Sequence, residues 1–180
     1  MYDAIVAVVG RAGSRLKMLL RVRAFYSTAH LIMLYKCHIL PFLESGTTAF
    51  YHAAPSILNL LDDIQLQFLE SISVSKEDAL LTHNLAPLRV RRDIMMLGIL
   101  HRIVLGIGPR PFHDLIKMSN STLLHHGFRL DRPLHNKQLQ DCVTCNSLVI
   151  LKRSLFGLVT VYNRLDQNVV DSRSVEIFPK

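Results

Sequence analysis

The sequence predicts a mostly α-helical protein, a small bundle of about five to seven helices with a long polar loop near 118–141. Three observations predict it. Ile57, Leu60, Leu61, Ile64, Phe68 and Ile72 recur at helical spacing, with Asn59, Asp62, Asp63 and Glu70 on the opposite side. Helix punctuation recurs between apolar runs: Ser27 or Thr28, Ser56, Ser75 with Asp78 three residues later, Pro87, and Gly106. Two long segments, 3–26 and 88–105, keep a helix-compatible pattern from end to end.

Taken in order, residues 3–26 read as one helix, interrupted in propensity only by Gly10 and Gly13. Arg11 and Arg15 are four residues apart and share a helix face, as do Lys17 and Arg21. Arg23 extends the same basic run. No carboxylate occurs from residue 4 to residue 43. Like charges held this way repel, and an anion such as a phosphate backbone relieves them; the alternative is a solvated basic face. The next helix, from Ala29 to Leu40, is apolar nearly all round, with Lys36 as its one charge. That pattern predicts burial, with Cys37 and His38 as packed core residues, and a kink or stop at Pro41.

Ser56 is expected to cap the helix that carries the Ile57–Ile72 stripe. A short capped segment begins at Ser75. Pro87 suits the first turn of a helix running from Leu88 to Leu105 and stopping at Gly106. Arg91, Gly98 and Arg102 share one narrow strip of that helix, predicting a face open to solvent or to an anion. The turn Gly106-Ile107-Gly108-Pro109-Arg110-Pro111 lacks the spacing of a phosphate-binding loop. Residues 118–141 are polar and His-rich, with a short extended piece expected around Phe128-Arg129-Leu130. Leu148–Leu165 returns to a helical pattern, and Asp171 or Ser172 is expected to cap a last short helix through Phe178.

A chain of 180 residues with 49% apolar and 19% charged side chains can bury a core and is not of disordered composition. Its net charge of +7 and pI near 9.6 favour anionic partners, nucleic acid most simply. Three cysteines, Cys37, Cys142 and Cys145, argue against a disulfide framework and fit a reducing, intracellular compartment, the nucleus among them. The longest uncharged stretch, Ser45–Leu61, contains Gly, Pro, Ser and Thr, so no membrane span is expected. The apolar start, Ala4–Val9, has no basic segment before it and makes a poor signal peptide.

Asp62-Asp63 is the one pair that suggests chemistry. Paired aspartates on a turn between strands hold magnesium for phosphoryl transfer in polymerase palms. Here the longer helical stripe turns the pair to a polar surface, and the only carboxylates upstream are Asp3 and Glu44. Cys142-x-x-Cys145 with His125, His126 and His135 supplies donors of the right kind for zinc, but no second Cys pair follows. No Gly-x-Ser-x-Gly elbow is present. The expectation is no catalytic residue, no metal and no cofactor.

These residues carry a resemblance. Ser14-Arg15-Leu16 with Arg21-Val22-Arg23, then Leu34-Tyr35-Lys36 and Ile39-Leu40-Pro41-Phe42-Leu43-Glu44, resemble the thumb of non-LTR (LINE-type) retrotransposon reverse transcriptases. Leu61-Asp62, Ile64-Gln65, Phe68-Leu69, and Leu85-Ala86-Pro87-Leu88 with Arg91-Arg92 are similar to its following helices. Tyr162-Asn163-x-Leu165, Val169-Val170, Ser174 and Phe178 resemble the family's closing segment. The chain departs from the family pattern at Ser45, where Tyr is usual, at Tyr162 for Trp and at Asp166 for Pro, and 118–147 matches poorly. The resemblance implies a helical thumb-like domain over 1–117, a loop or linker over 118–147 and a C-terminal helical segment over 148–180. It implies that the catalytic palm would lie upstream of Met1, so that this chain does not catalyse polymerisation and the palm is one of its partners. It also implies that Arg15, Arg21, Arg23, Arg91 and Arg92 grip a nucleic-acid backbone. The charge pattern adds Arg11, Lys17 and Arg102. The rival expectation is an inert or protein-interacting helical fragment, motivated by the apolar helices 29–40 and 88–105.

Overall fold

The computed structural model describes residues 1–108, 110–119, 124–126, 129–131, 134–140 and 149–171, of which 124–126, 129–131 and 149–150 are described by their backbone alone. The protein is mostly helical, and the chain divides into two compact units, Met1–Arg92 and Asp93–Lys180.

The first unit is built on α1 (Tyr2–Arg21) and α5 (Pro55–Ser71), which pack against each other. Ile5, Val8, Ala12 and Leu16 fall three or four apart and form the buried stripe of α1. They meet Leu61, Ile64, Phe68 and Leu69 of α5, the stripe expected from the sequence. Between them in the sequence come α2 (Thr28–His38), α3 (Leu40–Glu44) and α4 (Thr47–Phe50), of which α2 and α3 pack on α1. Tyr35 of α2 stacks on Phe68, with ring centroids 4.2 Å apart and planes within 6°. Both rings are fully buried, so this aromatic pair sits at the centre of the core. α6 (Lys76–Leu81) is capped by Ser75, whose hydroxyl accepts the Asp78 amide at 3.0 Å and donates to the Asp78 carboxylate at 2.7 Å.

Local chemistry moves several expected boundaries. α1 stops at Arg21, and Arg23–Phe25 form a 3-10 turn, because Tyr26 and Ser27 turn extended to cap α2. The Ser27 hydroxyl accepts the His30 amide there. α5 starts one residue before Ser56: Ala54 is its N-cap and Pro55, with φ already fixed, opens the first turn. α2 is not buried all round. Leu31, Ile32 and Tyr35 are buried, but Met33, Cys37 and His38 face outward, because only one side of the helix meets its neighbours. The expectation that Cys37 and His38 are core residues is thereby corrected. Ser73 (φ 55°) closes α5: its amide bonds to Glu70 O and that of Val74 to Leu69 O, so the carbonyls of the last turn are satisfied.

α7 (Leu88–Val104) begins after Pro87 and ends as expected at Gly106, whose φ of +76° permits the amides of Gly106 and Ile107 to bond Ile103 O and Arg102 O. The boundary between the two units falls within this helix.

In the second unit, β1 (Leu124–His126) and β2 (Arg129–Asp131) pair antiparallel, His125 opposite Leu130, so the extended piece expected around Arg129 is one strand of a ribbon. Described residues of the 118–141 segment are also tied to one another and to Asn163. Met118 bridges Leu139, and the Asn163 side-chain amide bonds the Leu139 backbone in both directions, at 2.8 and 2.9 Å. Leu148–Leu165 is not one helix but α8 (Val149–Lys152), a 3-10 turn Leu155–Leu158 and α9 (Val159–Tyr162). The break has a physical cause. The Ser154 hydroxyl caps the new turn through the Phe156 amide, and Gly157 approaches the Lys152 carbonyl so closely that a Cβ would lie 2.1 Å from its oxygen. α10 (Gln167–Val170) follows. The helix expected to end at Phe178 lies outside the described residues.

Candidate nucleic-acid interface

The basic run sits on the solvent face of α1, set there by the apolar stripe on the other side. Arg11, Lys17 and Arg21 are exposed, as is Arg23 on the 3-10 turn; Arg15 is half-buried at the border of that face. Lys17 and Arg21 make no hydrogen bond or ion pair among the described residues, and at four residues of helical rise their Cα atoms lie about 6 Å apart along the axis. Arg11 reaches only its own helix, Nε to Ala7 O at 3.3 Å. Arg15 donates from Nη1 to His38 O at 3.0 Å and lays its guanidinium 3.6 Å from the centre of the Phe42 ring, a cation–π contact that orients it. Arg23 donates to Ser71 O at 3.3 Å. None of these cations forms an ion pair among the described residues.

Arg91 and Arg92 are placed differently. Arg92 is buried and forms a bidentate pair with Asp62, Nη1 to Oδ1 at 2.7 Å and Nη2 to Oδ2 at 2.9 Å. Arg91 is half-buried and pairs through Nε with Glu44. Their charges are neutralised inside the fold, so the expectation that they meet a phosphate backbone is not what the geometry favours. Gly98 is buried, so the strip of Arg91, Gly98 and Arg102 is not one open face; Arg102 alone of the three is exposed.

The same ion pair redefines Asp62-Asp63. The pair lies in the middle of α5, not on a turn between strands, and Asp63 faces water while Asp62 turns to Arg92. Sequence reasoning missed the Asp62 partner. The helical period puts Asp62 on the polar side of α5, and Leu88-Arg89-Val90-Arg91-Arg92 carries three arginines, so nothing in the sequence marks Arg92 as the one buried against an acid.

Two apolar hollows flank these elements in the first unit. One, about 420 Å³, lies between Arg15 and His38 and is floored by Met18, Leu19, Val22, Leu34 and Ile39. The other, about 240 Å³, is lined by Leu66, Leu69, Leu85 and Leu88 with Gln65, whose side-chain amide donates to Ala86 O at 3.1 Å. At the core, burial and then the charge of Glu44 push the Tyr35 phenol well above its ordinary value.

In the second unit, a buried polar cluster surrounds Tyr162. His101 Nδ1 and the Tyr162 hydroxyl are 2.9 Å apart, and His135 packs edge-on against the Tyr162 ring. His135 accepts the Lys137 amide at Nδ1 and therefore carries its proton on Nε2, which donates to Tyr162 O at 3.0 Å. Both ring nitrogens are engaged, which argues against His135 as a metal ligand. No group of three or more metal-binding side chains occurs among the described residues. Cys142, Cys145 and the side chains of His125 and His126 lie outside those residues. Burial pushes His135 below its ordinary 6.5, outweighing the Tyr162 carbonyl that favours the charged form; Lys137 and His101 add to the lowering and Asp171 opposes it.

No family model, no curated protein and no solved structure matches this chain.

The ion pair separates the two aspartates experimentally. Asp62→Ala strands the Arg92 charge and is expected to destabilise the chain by about 2–3 kcal/mol in urea unfolding, somewhat less than a fully buried pair because the Asp62 side chain keeps 31% of its exposure. Asp63→Ala should change stability by no more than about 0.5 kcal/mol.

The buried imidazole gives a pH dependence of defined sign. His135 binds a proton less readily when folded than unfolded, so its contribution is full above the unfolded value near 6.5 and is lost as the pH falls below it. Thermal melts from about pH 7.5 to about pH 5.5 should show a falling midpoint, and His135→Gln should flatten that fall.

Proposed function

We propose that this chain is a helical fragment derived from the thumb and following region of a non-LTR retrotransposon reverse transcriptase. It binds nucleic acid through the phosphate backbone, without sequence preference and without catalysis of its own. One observation carries the binding: Lys17 and Arg21 stand on the solvent face of α1 with no partner among the described residues, within a stretch from residue 4 to residue 43 that holds no carboxylate. Such a face lowers its self-repulsion by taking up phosphates and releasing their counterions. The resemblance of Arg15, Arg21 and Arg23 to the family's basic helix supports the origin. The contact set narrows to Arg11, Arg15, Lys17, Arg21 and Arg23, since Arg91 and Arg92 spend their charge on Glu44 and Asp62. Arg102 belongs to the other unit.

A second reading is a protein-interacting fragment without nucleic-acid affinity. The apolar hollow between Arg15 and His38 favours it, because an apolar side chain could fill it.

Filter binding of the full chain to duplex DNA across a salt series separates the two. The slope of log K against log salt should be about −0.9 per phosphate neutralised, and replacing Lys17 and Arg21 together by Gln should reduce its magnitude by roughly two. Negligible binding at low salt, or a slope unmoved by the double substitution, would refute the backbone-binding reading.

A further inference from the structure

The 3-10 turn that ends α1 carries two aromatic rings into solvent. Phe25 is 84% exposed and Tyr26 48%, and neither ring touches another aromatic among the described residues. Exposure of this size is costly in water. The turn is nonetheless held in place. The Phe25 amide bonds to Val22 O at 3.0 Å, Arg23 Nη1 reaches Ser71 O at the end of α5, and Ser27 caps the next helix immediately after. The rings are thus presented on a fixed mount, at the end of the helix that carries Lys17 and Arg21, with Arg23 beside them.

We infer that this turn is a stacking platform for unpaired bases, so that the α1 surface takes single-stranded nucleic acid in preference to duplex. The inference rests on the backbone-binding reading above and deepens it. A groove of cations that tracks phosphates, with aromatic side chains beside it, is the arrangement that binds single strands irrespective of sequence, because every base has a π-face. In a duplex those faces are hidden within the stack, so Phe25 and Tyr26 gain nothing from it. The charge of the segment that carries the rings selects the occupant: with no carboxylate from residue 4 to residue 43 and Lys17, Arg21 and Arg23 exposed, the partner is polyanionic. A lipid surface fits less well. An interfacial helix lays a broad apolar face into the bilayer, and the apolar face of α1 is already buried in the core.

The test is fluorescence anisotropy of the full chain with oligo(dT) and with a matched duplex, comparing wild type with Phe25→Ala/Tyr26→Ala. The wild type should prefer oligo(dT). The double variant should lose roughly tenfold in oligo(dT) affinity while keeping its duplex affinity, its salt slope and its thermal midpoint. Phe25→Trp with Tyr26 retained should preserve oligo(dT) binding. Oligo(dT) affinity unchanged in the double variant, or an equal loss on both ligands, overturns the platform and leaves backbone binding standing. No binding of either ligand at low salt overturns the backbone reading and this inference with it. Phosphatidylserine vesicles bound in a Phe25-dependent manner, with oligo(dT) unbound, would assign the rings to a membrane surface instead.

Discussion

The bidentate pair between Arg92 and Asp62 is the interaction on which the first unit's organisation depends. It fixes the start of α7 to the middle of α5, and α5 is the helix against which α1 packs. Arg91 and Glu44 repeat the device one residue earlier, joining the same helix start to α3. A buried guanidinium tolerates loss of water only when its donors are filled, so Asp62 is held to one position by charge as well as by the apolar residues around it. The Gln65 amide, bonding the Ala86 carbonyl just before α7, braces the same junction.

These pairs also determine what the surface can do. The first unit has cations of two kinds. Arg91 and Arg92 have anions inside the fold, and Lys17 and Arg21 have none among the described residues. Only the second kind can exchange a hydration shell and counterions for an external phosphate without first breaking a native contact. Arg15 stands between them: its contacts to Phe42 and to the His38 carbonyl orient the guanidinium without neutralising it. Those contacts hold it at the border of the α1 face, where it extends the unpaired row.

The helices were legible in the sequence wherever one face alone is apolar. The stripe Leu61, Ile64, Phe68 is the observed core of α5, and the stop at Gly106 is where a left-handed residue was needed. Legibility failed where a tertiary partner decides. Arg92 looks like any surface arginine until Asp62 is found opposite it, and the two lie thirty residues apart. Cys37 and His38 face outward because α2 is covered on one side only, which composition does not reveal. The break at Gly157 comes from a close approach to the Lys152 carbonyl, a short-range contact that an apolar period conceals. On sequence alone His135 is a possible ligand; its two backbone partners, Tyr162 and Lys137, come together only in the fold.

The most direct test of this account follows the arginine Nε–Hε resonances of the isotope-labelled full chain while oligo(dT) is added at low salt. The account predicts that the signals of Arg11, Arg15, Arg21 and Arg23 shift or broaden, whereas those of Arg91 and Arg92, locked on Glu44 and Asp62, stay where they are. Movement of the Arg91 and Arg92 signals with the α1 signals unmoved would contradict it.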